Sequence, residues 1–437
     1  MLMLPAPRPS RACVALWIAL LFASDCEAVL FRDVQQQRAQ RQHVWEGNSE
    51  ASKGGDAPFA IKLQNHIGVQ YIGPVSFGGQ EFGAIYDTGS FEAIVLSTRC
   101  RSCSDEIKQY NREMSDSFKP LDNESHVHVF GSGPVVARRS LETLRLGSTS
   151  EQWEVADMPF WEVEDHNLTV WSDEDGAEFS AIVGLGPGSD VPGSSAASLL
   201  DRLHVTDFSY CLEQGAGAGW LSLMPAMQET GYNFSSIPLI SRNYWAVRLT
   251  NVTFSPSSPN RAACQSGCVA IVDTGTSLIG LPHEAYDKIM EGVPRVEEDC
   301  SNLADLPSLH FRLGDVELMV PPKIWVHRLS RRTIVETMGE DLGTPVCWPA
   351  FTRVEKETQL GQLWILGLPF FRYFYTVFDR GLGSPSLHVA VADGHCQGAA
   401  TTLASASEQS QLPPVIDVSH ARLPSWAQDG SPASLIV

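Results

Sequence analysis

The chain has 437 residues, 43% of them hydrophobic and 19% charged, an ordinary globular composition with room for two or three domain-sized units. A formal net charge of -20 excludes nucleic acid as a partner, because phosphate contacts need clustered lysine and arginine. With 35 glycines, 27 prolines and no long helical periodicity, we expect an all-β chain of short strands joined by turns.

At the N-terminus, Arg8 and Arg11 precede the apolar run Val14-Ala-Leu-Trp-Ile-Ala-Leu-Leu-Phe22, with Ala28 downstream. A positive start, a short apolar stretch and a small-residue cleavage site read as a secretory signal peptide over residues 1–28; the alternative is an uncleaved anchor. No later stretch approaches the length of apolar chain that a membrane helix needs, so no stable span is expected after signal cleavage. Residues 29–57 are polar and glutamine-rich, then small, and read as a prosegment or linker. From Phe59 the texture changes. Tyr71-Ile-Gly-Pro-Val-Ser-Phe-Gly-Gly79 reads as a strand entering a glycine turn, and Phe82-Gly-Ala-Ile-Tyr86 as the next strand. Similar segments recur to about Ala392, and residues 398–437 read as a loose polar tail.

An internal repeat organises the chain. Ala84-Ile-Tyr-Asp-Thr-Gly-Ser90 returns as Ala270-Ile-Val-Asp-Thr-Gly-Thr276, and each copy leads into a second apolar run, Ala93-Ile-Val-Leu96 or Leu278-Ile-Gly-Leu281. Farther on, each has an apolar echo ending in glycine, Ala181-Ile-Val-Gly-Leu185 and Trp364-Ile-Leu-Gly-Leu368. Two related lobes are expected, residues 58–235 and 236–397. An aspartate on a tight turn, with Gly89 or Gly275 next but one, presents its carboxylate where backbone can approach closely. If the lobes pair symmetrically, Asp87 and Asp273 meet, share a proton and titrate as a unit. One then serves as general base toward a water while the other, protonated, polarises a scissile carbonyl. Thr88 and Thr274 are expected to hydrogen-bond across the two turns, and Ser90 and Thr276 to offer hydroxyls to the outer carboxylate oxygens.

From about residue 60 to 396 the sequence resembles the pepsin-like aspartic proteases. The likeness rests on both Asp-Thr-Gly turns and on Cys264-Gln-Ser-Gly-Cys268 running into the second. It extends to Tyr244-Trp245, to Phe208-Ser-Tyr-Cys-Leu212 and to Trp364-Ile-Leu-Gly367 followed by Phe371 through Asp379. The resemblance implies a two-lobed double-barrel fold with pseudo-twofold symmetry, and hydrolysis of polypeptide substrates between catalytic Asp87 and Asp273. It implies no cofactor and no metal, and we expect a monomer. It implies disulfides Cys264–Cys268 and Cys300–Cys347. With Cys13 and Cys26 inside the signal, Cys100–Cys103 and Cys211–Cys396 complete the expected set. Zinc at Cys100-x-x-Cys103 and Cys264-x3-Cys268 is the rival use of these thiols.

The family's flap hairpin corresponds to Val127-His-Val-Phe130-Gly131-Ser132-Gly133, with Phe130 where a tyrosine is usual. The tryptophan that would bond that tyrosine's hydroxyl is Ile94, so both halves of one hydrogen bond are apolar. Leu368 stands where an acidic residue is common. His126 and His128 share one strand face, as metal ligands or as a plain hairpin edge. The acidic stretch Trp161-Glu-Val-Glu-Asp-His166 with Asp173-Glu-Asp175 reads as a solvated loop, or as a calcium site. The sequons at Asn123, Asn167, Asn233 and Asn251 suit a glycoprotein of the secretory pathway, either secreted or held in an acidic endomembrane or vacuolar compartment. Three functions compete: an active endopeptidase, an inert inhibitor or binding protein on the same fold, and a structural cell-surface glycoprotein. Inert proteins on this fold tend to lose an aspartate or crowd the turn, whereas both turns are intact here, and the third reading leaves the repeated aspartates unexplained.

Overall fold

The computed structural model describes residues 59–130, 133–147, 153–168, 171, 179–187, 198–213, 217–224, 231–254, 263–330, 345–354, 356–381, 384–392, 396, 413 and 415–416. The signal segment 1–28, the segment 29–57, Asp173-Glu-Asp175 and most of the tail lie outside them. Among the described residues the fold is all-β, and its longest helix, His283–Gly292, has 10 residues.

The first described strand, Phe59–His66, alternates buried and exposed positions over most of its length, the period-two pattern of a sheet with one face inward. It pairs with Gly219–Leu223 through its first half and with Gln70–Phe77 through its second. That double pairing joins strands from distant parts of the chain into one 13-stranded sheet. At one end lie Ser235–Pro238, Ser386–Val391 and Phe374–Asp379, the last paired with Asp207–Leu212. Sheet pairing therefore runs across residue 235 and draws the chain's late strands beside its middle ones. An 8-stranded sheet holds Ala246–Thr253, Cys268–Val272, Ile279–Pro282 and Gly361–Leu366.

The strands of the repeat are the most buried. Ala93–Leu96, Ala181–Gly184, Cys268–Val272 and Ile279–Pro282 are buried at every position. Continuous apolar runs of this kind belong to strands covered on both faces, and parallel pairings are where they occur. Aromatic contacts fill the core between: Phe208 stacks on Phe378 at 4.7 Å, with Trp245 edge-on to both. Trp153, Trp171, Trp325 and Trp364 are buried, whereas Trp348 is 43% exposed.

Four disulfides are present, Cys100–Cys103, Cys211–Cys396, Cys264–Cys268 and Cys300–Cys347, the same four pairs as expected above. Both cysteine pairs of the zinc alternative are therefore used as disulfides. Asn167, Asn233 and Asn251 are exposed.

Two expectations are corrected. The stretch Trp161–His166 is not a solvated loop but the end of the strand Trp153–His166, with Glu162 1% exposed. Its acidity is answered from other elements: Arg112 lies 3.6 Å from Glu162, Arg99 and Arg138 each 3.0 Å from Glu164, and Arg101 3.0 Å from Asp165. Nor is the tail loose throughout. Val415–Ile416 pairs in parallel with Arg328–Leu329, and Arg328 Nε donates to the Pro413 carbonyl at 2.9 Å. The β-branched pair Val-Ile, following two prolines, is suited to extended backbone in a way that the preceding Ala, Ser and Gln residues are not.

Candidate active site

Each aspartate sits where a buried strand ends in a turn. The strand Gln80–Asp87 runs parallel to Ala181–Gly184, with Asp87 opposite Gly184. Cys268–Val272 runs parallel to Gly361–Leu366, and Asp273 follows it directly. After the turns, Ala93–Leu96 and Ile279–Pro282 return antiparallel to the same two partners. Each turn is closed alike: Ser90 N–H donates to Asp87 O and Thr276 N–H to Asp273 O, both at 3.4 Å. The sequence repeat is thus a structural repeat.

The two turns meet. Thr88 Oγ1 donates to the carbonyl of Val272 at 3.0 Å, and Thr274 Oγ1 to that of Tyr86 at 2.6 Å. Each threonine oxygen also accepts the other's backbone N–H, at 3.0 and 2.9 Å. Each threonine thereby grips the residue before the opposite aspartate. Both carboxylates are buried, Asp87 at 2% exposure and Asp273 at 0%. Gly89 N–H donates to Asp87 Oδ1 and Gly275 N–H to Asp273 Oδ1, each at 2.8 Å. The glycines are required by proximity. A Cβ on Gly89 would lie 2.6 Å from Asp273 Oδ2, and one on Gly275 would collide with Asp87 Oδ1.

Burial first, then the neighbouring charge of Asp87, pushes Asp273 up from the ordinary carboxyl range, while the Thr276 hydroxyl and the Gly275 amide pull it back. Both causes act against the ionised form of Asp273. The outer hydroxyls differ. Thr276 Oγ1 donates to Asp273 Oδ2 at 2.5 Å, but Ser90 Oγ is buried without a hydrogen-bond partner among the described residues, contrary to expectation. Threonine's methyl group fixes χ1 and aims its hydroxyl; serine lacks that constraint.

A family model described as eukaryotic aspartyl protease matches residues 70–390. The chain belongs to the eukaryotic aspartyl protease family. It is similar to pepsin A of Sus scrofa, 28% identical over 345 residues that make up 75% of this chain and 82% of that protein. Pepsin A of Bos taurus is 27% identical over 338 residues, covering 73% and 84%, and pepsin-3 of Oryctolagus cuniculus 27% over 336, covering 73% and 80%.

In this aspartyl protease family member the segment expected to form the flap lies on the hairpin of Lys119–Phe130 and Gly133–Leu146, with Phe130 opposite Gly133 in register. Gly131, Ser132 and the Phe130 side chain lie outside the described residues. Ile94 is buried in an apolar cluster with Ile72, Val135 and Ile182, next to its cross-strand neighbour Trp161. Leu368 is buried at the start of the short helix Leu368–Phe371. The ring of His126 meets Trp161 edge-on at 5.3 Å.

Three polar groups near the dyad went unread in the sequence. Glu92, whose carboxyl is raised by burial with Asp87 adding, follows the first turn by two residues. The buried hydroxyl of Tyr210 is held far above its ordinary range, chiefly by burial, and the charges of Arg372, Asp87 and Asp273 all reach it. Arg372, itself 2% exposed, donates to the Gly68 carbonyl and lies 3.2 Å from His327 Nε2. The closing segment Phe371 through Asp379 contained the signal, an arginine in an otherwise apolar run.

Proposed function

We propose that the chain is an aspartic endopeptidase that hydrolyses polypeptides, with Asp87 and Asp273 as its catalytic pair. The observation that carries this reading is the pair of mirrored Asp-Thr-Gly turns, locked together by Thr88 and Thr274, with two buried carboxylates facing each other. At acid pH the pair holds one proton. The ionised carboxylate takes a proton from water as its oxygen attacks the scissile carbonyl carbon, and the protonated partner gives its proton to the carbonyl oxygen. Collapse of the resulting diol breaks the C–N bond, and the leaving amine takes a proton back from the pair.

An extended peptide would lie between two lobes, residues 58–235 and 236–397, under the hairpin tip at Phe130 to Gly133. The hairpin would close over it and exclude water, which strengthens the electrostatics of the pair. The signal-like segment 1–28, the four disulfides and the exposed sequons support a secretory route. No helix among the described residues is long and apolar enough to cross a membrane.

The test is incubation of the secreted protein with a peptide library across acidic pH, with and without a peptide isostere bearing a hydroxyl in place of the scissile carbonyl. Cleavage abolished by the isostere is expected. Tight isostere binding without cleavage at any pH would make the protein an inert binder on this fold.

A further inference from the structure

The Cys100–Cys103 disulfide differs from the other three in its surroundings. Cys211, Cys264, Cys268, Cys300, Cys347 and Cys396 are all buried, at 9% exposure or less. Cys100 and Cys103 are only partly buried, at the rim of the cluster that contains Ile94. Thiol attack on a disulfide requires access to a sulfur, so this pair meets external thiols first. Its neighbours also favour a departing thiolate. Arg99 and Arg101 flank Cys100, and a ring nitrogen of His166 and both sulfurs lie within 4.8 Å of one another. Part of that positive charge is answered by Glu164 and Asp165.

The same turn grips the flap hairpin. Arg101 N–H donates to the Glu164 carbonyl at 3.0 Å, Arg101 Nη2 to Asp165 Oδ2 at 3.0 Å, and His166 N–H to Ser102 Oγ at 2.8 Å. Asp165 and His166 stand opposite Val136 and Val135, at the start of the strand Gly133–Leu146. Asn167 N–H then donates to the Pro134 carbonyl at 3.0 Å, next to the hairpin tip. The turn closed by Cys100–Cys103 therefore braces the tip end of the hairpin.

We propose that Cys100–Cys103 is a redox-responsive site, opened by an external dithiol, that sets the stiffness of the hairpin near its tip. A thiolate of the dithiol attacks one sulfur of the pair. The S–S bond breaks, a mixed disulfide forms, and the other cysteine leaves as a thiolate. The second thiolate of the reductant displaces the remaining cysteine, so the dithiol ends as a disulfide and two electrons rest on the cysteine pair. The effect on turnover rests on the reading of residues 127–133 as the flap; the redox step does not.

The test exposes the full secreted protein to graded dithiothreitol, traps free thiols with iodoacetamide and maps the labelled peptides. Cys100 and Cys103 are expected to label together at a thiol concentration that leaves the other six closed. Amide exchange should then quicken over residues 133–137 and 163–167, and kcat/KM should fall. The double variant Cys100→Ser with Cys103→Ser should show the same exchange and no further response to mild reductant. The variant Arg99→Gln with Arg101→Gln should shift the opening to higher thiol concentration. Opening of this pair together with or after the others, or selective opening with unchanged exchange, overturns the proposal. If the protein cleaves no peptide before reduction, the function reading fails, while labelling and exchange still decide this one.

Discussion

Thr274 makes two hydrogen bonds that water cannot replace, one to the Tyr86 carbonyl and one from the Thr88 amide. Thr274→Val keeps the shape and strands both buried groups, at about 1–3 kcal/mol each. A lowered melting temperature and a lower kcat are expected, whereas Thr274→Ser, which keeps the hydroxyl, should recover most of both. Gly275→Ala places a methyl group against Asp87 and should abolish turnover even if the protein folds. At this scale the sequence was most legible where it repeated itself. One Asp-Thr-Gly is an ordinary turn signal; two in matched apolar frames identify a pair. Which of Ser90 and Thr276 binds its carboxylate was not legible, because it depends on rotamers that no pattern records.

Strands and turns were legible where apolar runs ended in glycine, as at Tyr71 to Gly79. Their pairing was not, because local periodicity fixes a strand's inward face but not its partner. Hence the late strands Phe374–Asp379 and Ser386–Val391 joining a sheet begun by Phe59–His66 came from the structure alone. The acidic end of Trp153–His166 was misread because its arginine partners come from remote elements. The hairpin carries its own prediction. On the proposed reading of residues 127–133 as the flap, closure without a tyrosine hydroxyl would rest on apolar contact of Phe130. Phe130→Ala should lower kcat/KM about tenfold or more, about 1.4 kcal/mol of transition-state binding. Phe130→Tyr alone should gain little, and Phe130→Tyr with Ile94→Trp more than either, as a double-mutant cycle would measure. Unchanged turnover in Phe130→Ala would remove residues 127–133 from the cleft.

Across the whole molecule, burial raises several carboxyl groups, among them Asp273, Glu92, Asp207 and Glu162, the last to about 7. A raised folded pKa means that the native state holds its proton more tightly than the unfolded chain. The stability so gained is fully present below the unfolded pKa and is lost as pH rises through the folded one. For Glu162 the window runs from about 4.5 to about 7, and its neighbours Arg99, Arg138 and Ser140 do not overcome burial. His327 pulls the other way, since burial and Arg372 keep it neutral and its contribution is lost as pH falls. Comparing Glu162→Gln with the parent isolates one group. Between acid and neutral pH the parent should lose up to about 3 kcal/mol more than the variant, from about 1.4 kcal/mol per pKa unit, read as converging melting curves in acid. Parallel curves across that range would show that Glu162 does not titrate as its burial requires. The net charge of -20 acts in the same sense as Glu162, because protonation in acid relieves repulsion.

The central claim is that Asp87 and Asp273 do the chemistry together, and it is tested most directly by replacing each in turn with its uncharged isostere. Asp87→Asn and Asp273→Asn should each remain folded and secreted, with circular dichroism and disulfide map unchanged. Each should lose about 10²–10⁴-fold in kcat on a peptide that the parent cleaves, because neither acid nor base works without the other. A folded variant of either kind that turned over peptide within about threefold of the parent would contradict the account.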